Sequence, residues 1–158
     1  MAHGIYLVLD LVDGPAAEAI AAVQRDLDPK LARMGVPHVT LAGSSGLGIL
    51  PAGFAVDRLA AALAPVGAAT PPLDLVFGAP ERFPQTNIIH LPLPVHGAVR
   101  ALHDRIGRSG LPFAPVRFAF TLHCTLHFHR TLEPATWARA RRFRVPGPVR
   151  VDRLQVYD

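Results

Sequence analysis

Two tetrads of the chain share one pattern, His-x-Thr-Leu: His38-Val39-Thr40-Leu41 and His123-Cys124-Thr125-Leu126. With eight histidines, seven threonines and twenty leucines in 158 residues, chance supplies about 0.05 such tetrads. On a strand, residues i and i+2 project from one face, so each tetrad sets an imidazole beside a hydroxyl. The intervening Val39 and Cys124 then point to the core with Leu41 and Leu126. Histidine titrates near neutrality, so one copy can be neutral while the other is protonated. A neutral imidazole takes a proton from a nucleophile, an imidazolium gives one to a leaving oxygen, and threonine hydroxyls donate to oxygens on which charge grows. Two tetrads around one small volume are equipment for phosphodiester chemistry without a metal. A single His-x-Thr is more often structural; the repeated pair points to function, with His38, Thr40, His123 and Thr125 as the catalytic set.

The elements that position these residues read as a mixed succession. Residues 5–12 form a strand, residues 16–31 a helix with Asp13 as its cap, and residues 36–42 a second strand. Residues 43–53 are a glycine- and serine-rich loop long enough to be functional. Residues 56–63 form a short helix ended by Pro65 and Gly67. Residues 73–77 and 87–93 are strands, residues 95–107 an amphipathic helix, and residues 116–128 the longest strand. Residues 133–143 form the last helix and residues 149–157 the closing strand. Each half carries a helix followed by a tetrad strand, so two similar lobes with the tetrad strands at the centre are expected, in an α+β fold.

Composition bounds the rest. The chain is 50% hydrophobic and 18% charged, with a mean hydropathy of +0.27, which excludes disorder. No apolar run approaches the ~20 residues that cross a bilayer. The N-terminal apolar stretch carries Asp10 and Asp13 behind no basic region, so it does not read as a signal peptide. One cysteine, Cys124, excludes a disulfide framework and a multi-cysteine zinc site, and fits a reducing, cytoplasmic setting. The net charge is +4 and Lys30 is the only lysine. Arginine's planar fork suits phosphate, although an arginine-rich composition also arises without a polyanionic partner. Arg139, Arg141, Arg142 and Arg144 read first as a solvated face at a helix C-terminus. His127 and His129 continue the parity of His123 and Thr125, but no carboxylate lies near them in sequence, so no metal is expected. His90 lies in a strand, facing either the groove or the interior.

The tetrads, their 85-residue separation, Phe83-Pro84 before a strand and the closing strand make the chain resemble the two-histidine (2H) phosphoesterases, the group of bacterial 2′-5′ RNA ligase-like proteins and RNA 2′,3′-cyclic phosphodiesterases. The resemblance covers nearly the whole chain. It implies one domain over residues 1–158 built of two interleaved lobes: a bilobal, pseudo-twofold fold with two antiparallel sheets flanked by helices around a central groove. It implies catalysis by the two histidines with no cofactor. The partners it implies are RNA with a cyclic phosphate end or a cyclic nucleotide, with neither a membrane nor an obligate protein partner. A 2′,3′-cyclic end would give a 2′-phosphate, and reversible 2′-5′ RNA ligation is the further activity the resemblance implies. The chain departs from the family in placing Leu122 where proline usually precedes the second motif. It also has Phe128 where RNA-ligase-like members often carry arginine; Arg130 has the same parity as Phe128. Arg130, His127, Phe83 and Tyr6 are the candidate substrate contacts. A binding module of the same fold, and a phosphodiesterase for a small non-nucleotide substrate, are the competing readings.

Overall fold

Ile5, Leu7, Leu9 and Leu11 alternate with Tyr6, Val8 and Asp10, which is the pattern of a strand with two unlike faces. In the computed structural model, which describes residues 3–158, the first set joins the main hydrophobic cluster, while Val8 and Asp10 are buried outside it and Tyr6 is half-buried. This strand, β1 (Gly4–Asp10), opens a succession of nine strands and five helices among the described residues. It is followed by α1 (Pro15–Leu27), α2 (Pro29–Met34), β2 (His38–Ala42), β3 (Leu50–Pro51), α3 (Val56–Ala68) and β4 (Leu73–Leu75). Then come β5 (Glu81–Arg82), β6 (Ile89–Pro92), α4 (Gly97–Gly107), β7 (His123–His127), α5 (Pro134–Arg142), β8 (Val149–Val151) and β9 (Gln155–Tyr157).

The fold is α+β with antiparallel sheets. Seven strands form one sheet in the order β3-β1-β2-β7-β6-β5, with β9 also on β1, and β4 pairs with β8 in a second sheet. The two tetrad strands are therefore direct neighbours, joined antiparallel at Val39 and Cys124. Outside this junction β2 pairs antiparallel with β1, and β7 pairs antiparallel with β6. The tetrads meet side by side on one sheet. One face of that sheet is covered by the apolar side of the chain: Val39, Leu41, Leu91, Cys124 and Leu126 are fully buried. Helix α1, from the first half, packs on β7 of the second, where Gln24 Nε2 donates to the Thr125 carbonyl at 2.9 Å. No helix among the described residues is long and apolar enough to cross a membrane.

Several element boundaries differ from the sequence expectation, each for a local reason. The first helix is two helices, because Pro29 bars Asp28 from helical geometry. Its cap is Gly14 at φ 91° with no side-chain hydrogen bond, so Asp13 does not cap it. Helix α3 runs on through Pro65 to Ala68. The carbonyl that Pro65 leaves unbonded belongs to Ala61, which is exposed and can use water. The long strand expected over 116–128 is confined to His123–His127, because β2 and β6 offer only short edges to pair with. The closing strand splits between two sheets, β8 on β4 and β9 on β1. The glycine-rich loop contains β3, which pairs with Gly4 and Ile5.

Candidate active site

Ladder register places the polar side chains of the open sheet face. Val39 opposite Cys124 puts His38 across from Thr125 and Thr40 across from His123. On the outer side of β7, His90 stands opposite Thr125 and Pro92 opposite His123. On the outer side of β2, Asp10 stands opposite His38 and Val8 opposite Thr40. His38 and His123 are thus diagonal neighbours on adjacent strands, about 7–8 Å apart along the backbone. That separation lets one phosphate group touch both imidazoles.

Both motif histidines are held in the same way. His38 Nδ1 lies 3.0 Å from the Val36 carbonyl and His123 Nδ1 lies 2.8 Å from the Thr121 carbonyl. A carbonyl only accepts, so each Nδ1 carries the proton and donates, which leaves Nε2 with its lone pair when the ring is neutral. The two tetrads therefore present equivalent nitrogens from equivalent tethers, two residues upstream in each case. Thr40 and Thr125 are half-buried beside them.

The electrostatics separates the two. Burial holds the His123 pKa below the ordinary imidazole value; the Thr121 carbonyl opposes this, and a charge on His38 reinforces it. Cys124, between the tetrad residues of β7, is fully buried. Its burial pushes the thiol pKa up to about 12, so it stays protonated and is no nucleophile. His90 is 3% exposed; burial first, and then the neighbouring charge of His123, lowers its pKa to about 4.

These shifts carry a consequence for stability. In the unfolded chain both imidazoles take a proton near pH 6.5, whereas in the fold they resist it. The unfolded state therefore binds more protons between about pH 6.5 and 4, and stability falls with pH across that window, by up to about 3 kcal/mol for His90. Urea unfolding at pH 7 and pH 4.5 is expected to give a lower midpoint at the acidic value. The drop should shrink in His90→Phe; equal midpoints at the two pH values would contradict it.

The substrate-contact candidates fall in different places. Phe83 is in the site: its ring stacks on His90 with centroids 3.9 Å apart and meets His123 edge-on at 4.9 Å. Tyr6 lies beside the first tetrad, packed over Gly43, where an added Cβ would stand 2.8 Å from both Tyr6 Cδ1 and Thr40 Cγ2. Arg130 is exposed and lines an open basin next to Phe83 together with Arg82, Thr86, Asn87 and His129. His127 is buried, with Nδ1 donating to the Asn87 carbonyl at 2.8 Å; it braces β7 against the segment leading into β6. The arginines of the last helix lie outside the site. Arg139 pairs with Asp26 at 3.2 Å, Arg141 lies over Trp137, and Arg144 donates to the Arg141 and Phe143 carbonyls.

His90 is the residue that sequence reasoning left undecided and the structure brings in. Its strand alternates it with Ile89 and Leu91, both fully buried in the core, and that parity is the signal for the polar face. Among the described residues, no group of three or more histidine, cysteine, aspartate or glutamate side chains is placed to hold a metal ion.

A family model described as the 2'-5' RNA ligase superfamily matches residues 12–158. Comparison with curated proteins returns no match. Four chains of solved structures are similar. One, described as "Crystal structure of phosphoesterase", is 16% identical with a TM-score of 0.55, over 99% of this chain and 88% of that one. At that identity the likeness is one of fold.

Proposed function

The chain belongs to the 2'-5' RNA ligase superfamily of two-histidine phosphoesterases, and on that premise we propose that it hydrolyses 2′,3′-cyclic phosphodiesters, at RNA ends or in cyclic nucleotides, without a metal. Membership supports an activity of the phosphoesterase or ligase type. The observation that carries the finer reading is the pair of equivalent Nε2 atoms on one sheet face, each set by a carbonyl two residues upstream.

In this reaction His123 is the general base. Burial favours its neutral form, so Nε2 is free to take a proton from a water molecule attacking phosphorus. The new P–O bond forms as the bond from phosphorus to the ribose 3′ oxygen breaks. His38, exposed and able to exchange protons with solvent, delivers its Nε2 proton to that departing oxygen. The product is a 2′-phosphate with a free 3′ hydroxyl, and His38 ends neutral while His123 ends protonated. Thr40 and Thr125 donate to the non-bridging oxygens and stabilise charge that grows there in the transition state. Joining a cyclic end to a 5′ hydroxyl through a 2′-5′ linkage uses the same imidazoles in the same roles, with the 5′ hydroxyl attacking phosphorus in place of water and the 3′ oxygen again departing.

A product-resolved assay on a panel of 2′,3′-cyclic nucleotides and cyclic-phosphate-ended RNA tests this. Turnover to 2′-phosphates is expected, and tight binding with no product over hours would replace the enzyme by a binding module. Turnover is also expected to survive EDTA within about twofold, because imidazoles and hydroxyls supply the proton transfers. Full loss of activity in EDTA, restored by a divalent metal, would contradict the metal-free mechanism.

A further inference from the structure

His38 and His123 share a tether but not a setting. Among the described residues His38 makes no ring contact, whereas His123 sits against two rings at once. Phe83 and His90 lie parallel, 17° apart, and the His123 plane stands nearly perpendicular to both, at 87° and 74°. The three centroids lie within 5.5 Å of one another. One hydrogen bond at Nδ1 pins a corner of an imidazole; fixing its plane needs a surface.

We propose that His90 is a positioning residue: with Phe83 it forms an aromatic wall that holds the His123 ring edge-on and aims its Nε2 at phosphorus. The wall is built into the sheet, since His90 opposes Thr125 on the ladder and is 3% exposed. Holding it there has a cost, because His90 Nδ1 is buried with no hydrogen-bond partner, an arrangement that disfavours folding. A residue kept at that cost against one face of the second tetrad has a reason to be there, and the ring contact supplies it. The wall also acts on charge. Aromatic faces attract a cation, so they steady the protonated His123 that forms as it takes the water proton.

The titratable groups around His90 are few. From β7 it meets His123, from β5 the exposed Glu81 opposite it on the ladder, and across the sheet beyond Thr125 comes His38. Arg82, next along β5, is turned to the Thr86 carbonyl and to Asn87. His90 itself stays neutral above about pH 4, so between pH 5 and 8 it adds no charge to the pair it supports.

The role in turnover rests on His123 being the base, as proposed above; the titration of His123 does not. The experiment pairs His90→Leu, which removes the ring, with His90→Phe, which keeps it. Each is followed by steady-state kinetics on a 2′,3′-cyclic nucleotide and by NMR titration of the His123 imidazole. In His90→Leu, kcat is expected to fall about tenfold with KM within about twofold, and the His123 pKa to drop by about half a unit. His90→Phe is expected to restore both and to melt no lower than the parent, since the unpartnered nitrogen is gone. An unchanged kcat and an unchanged His123 titration in His90→Leu would overturn the proposal. So would a His90→Phe variant as defective as His90→Leu, which would assign the role to the nitrogen. If no cyclic substrate turns over in any form, the reading of function fails, and the His123 titration alone decides the wall.

Discussion

Replacing either motif histidine by alanine is expected to lower kcat on a 2′,3′-cyclic substrate by about 10²–10⁴-fold, with the fold retained. His38 is exposed and His123 half-buried, so neither truncation opens a hole in the core beneath them; Val39, Leu41, Cys124 and Leu126 fill that side. The expected loss comes from the proton transfers alone. Without His123 no imidazole faces the attacking water, and without His38 the departing oxygen must leave without its proton. The two variants differ in pH dependence. In His38→Ala the remaining titration is that of His123, whose pKa is held down by burial. A charge on His38 contributes to that depression, so the His123 titration is expected to move up when His38 is removed. Circular dichroism and melting checked beside the rates separate lost chemistry from lost structure. Parental turnover in either variant would remove that histidine from the mechanism.

The largest effect on stability is expected at Asp28. Asp28 is 5% exposed, and its carboxylate accepts two backbone hydrogen bonds, one local and one from a hundred residues along the chain. Oδ1 takes the Leu31 amide at 3.0 Å, which caps α2, and Oδ2 takes the Phe128 amide at 2.9 Å, which closes the end of β7. Alanine there would leave both amides without a partner at the junction between the first helices and the second tetrad strand. Loss of a cap and of a charge-assisted bond together predicts a destabilisation of about 2–4 kcal/mol. Asparagine, with one acceptor oxygen, should keep one of the two bonds and lose about half as much. Urea unfolding with an unchanged m-value reads this directly. A cost below about 0.5 kcal/mol for Asp28→Ala, within the range of ordinary surface substitutions, would mean the two bonds contribute little.

The placing of an imidazole beside a hydroxyl in each tetrad was legible because strand parity is a local property. His38 with Thr40, and His123 with Thr125, share a face by covalent geometry alone, and so do the buried Val39 with Leu41 and Cys124 with Leu126. Pairing of β2 with β7 was not legible, since the partner of a strand lies far along the chain, as Cys124 does from Val39, and the apolar pattern alone does not name it. Parity also places His90 on the polar face, yet its stacking on Phe83 depends on where the chain leaving β5 sets that ring, which no spacing announces. The double role of Asp28 was hidden by the helical pattern that continues across it; Pro29 was the local signal that the pattern breaks. Residues 116–122 look like strand because Val116, Phe118 and Phe120 alternate. Val116 and Phe118 are exposed, because they precede the stretch that β2 and β6 flank.

The central claim is that His38 and His123 act as one unit on a single phosphorus, and the double variant His38→Ala/His123→Ala tests it most directly. Groups that work together are grossly non-additive when removed together. The account predicts kcat/KM for the double variant within about tenfold of the worse single variant, since either loss already dismantles the shared proton relay. Losses that multiply would contradict it, because they would mean that each imidazole contributes independently of the other.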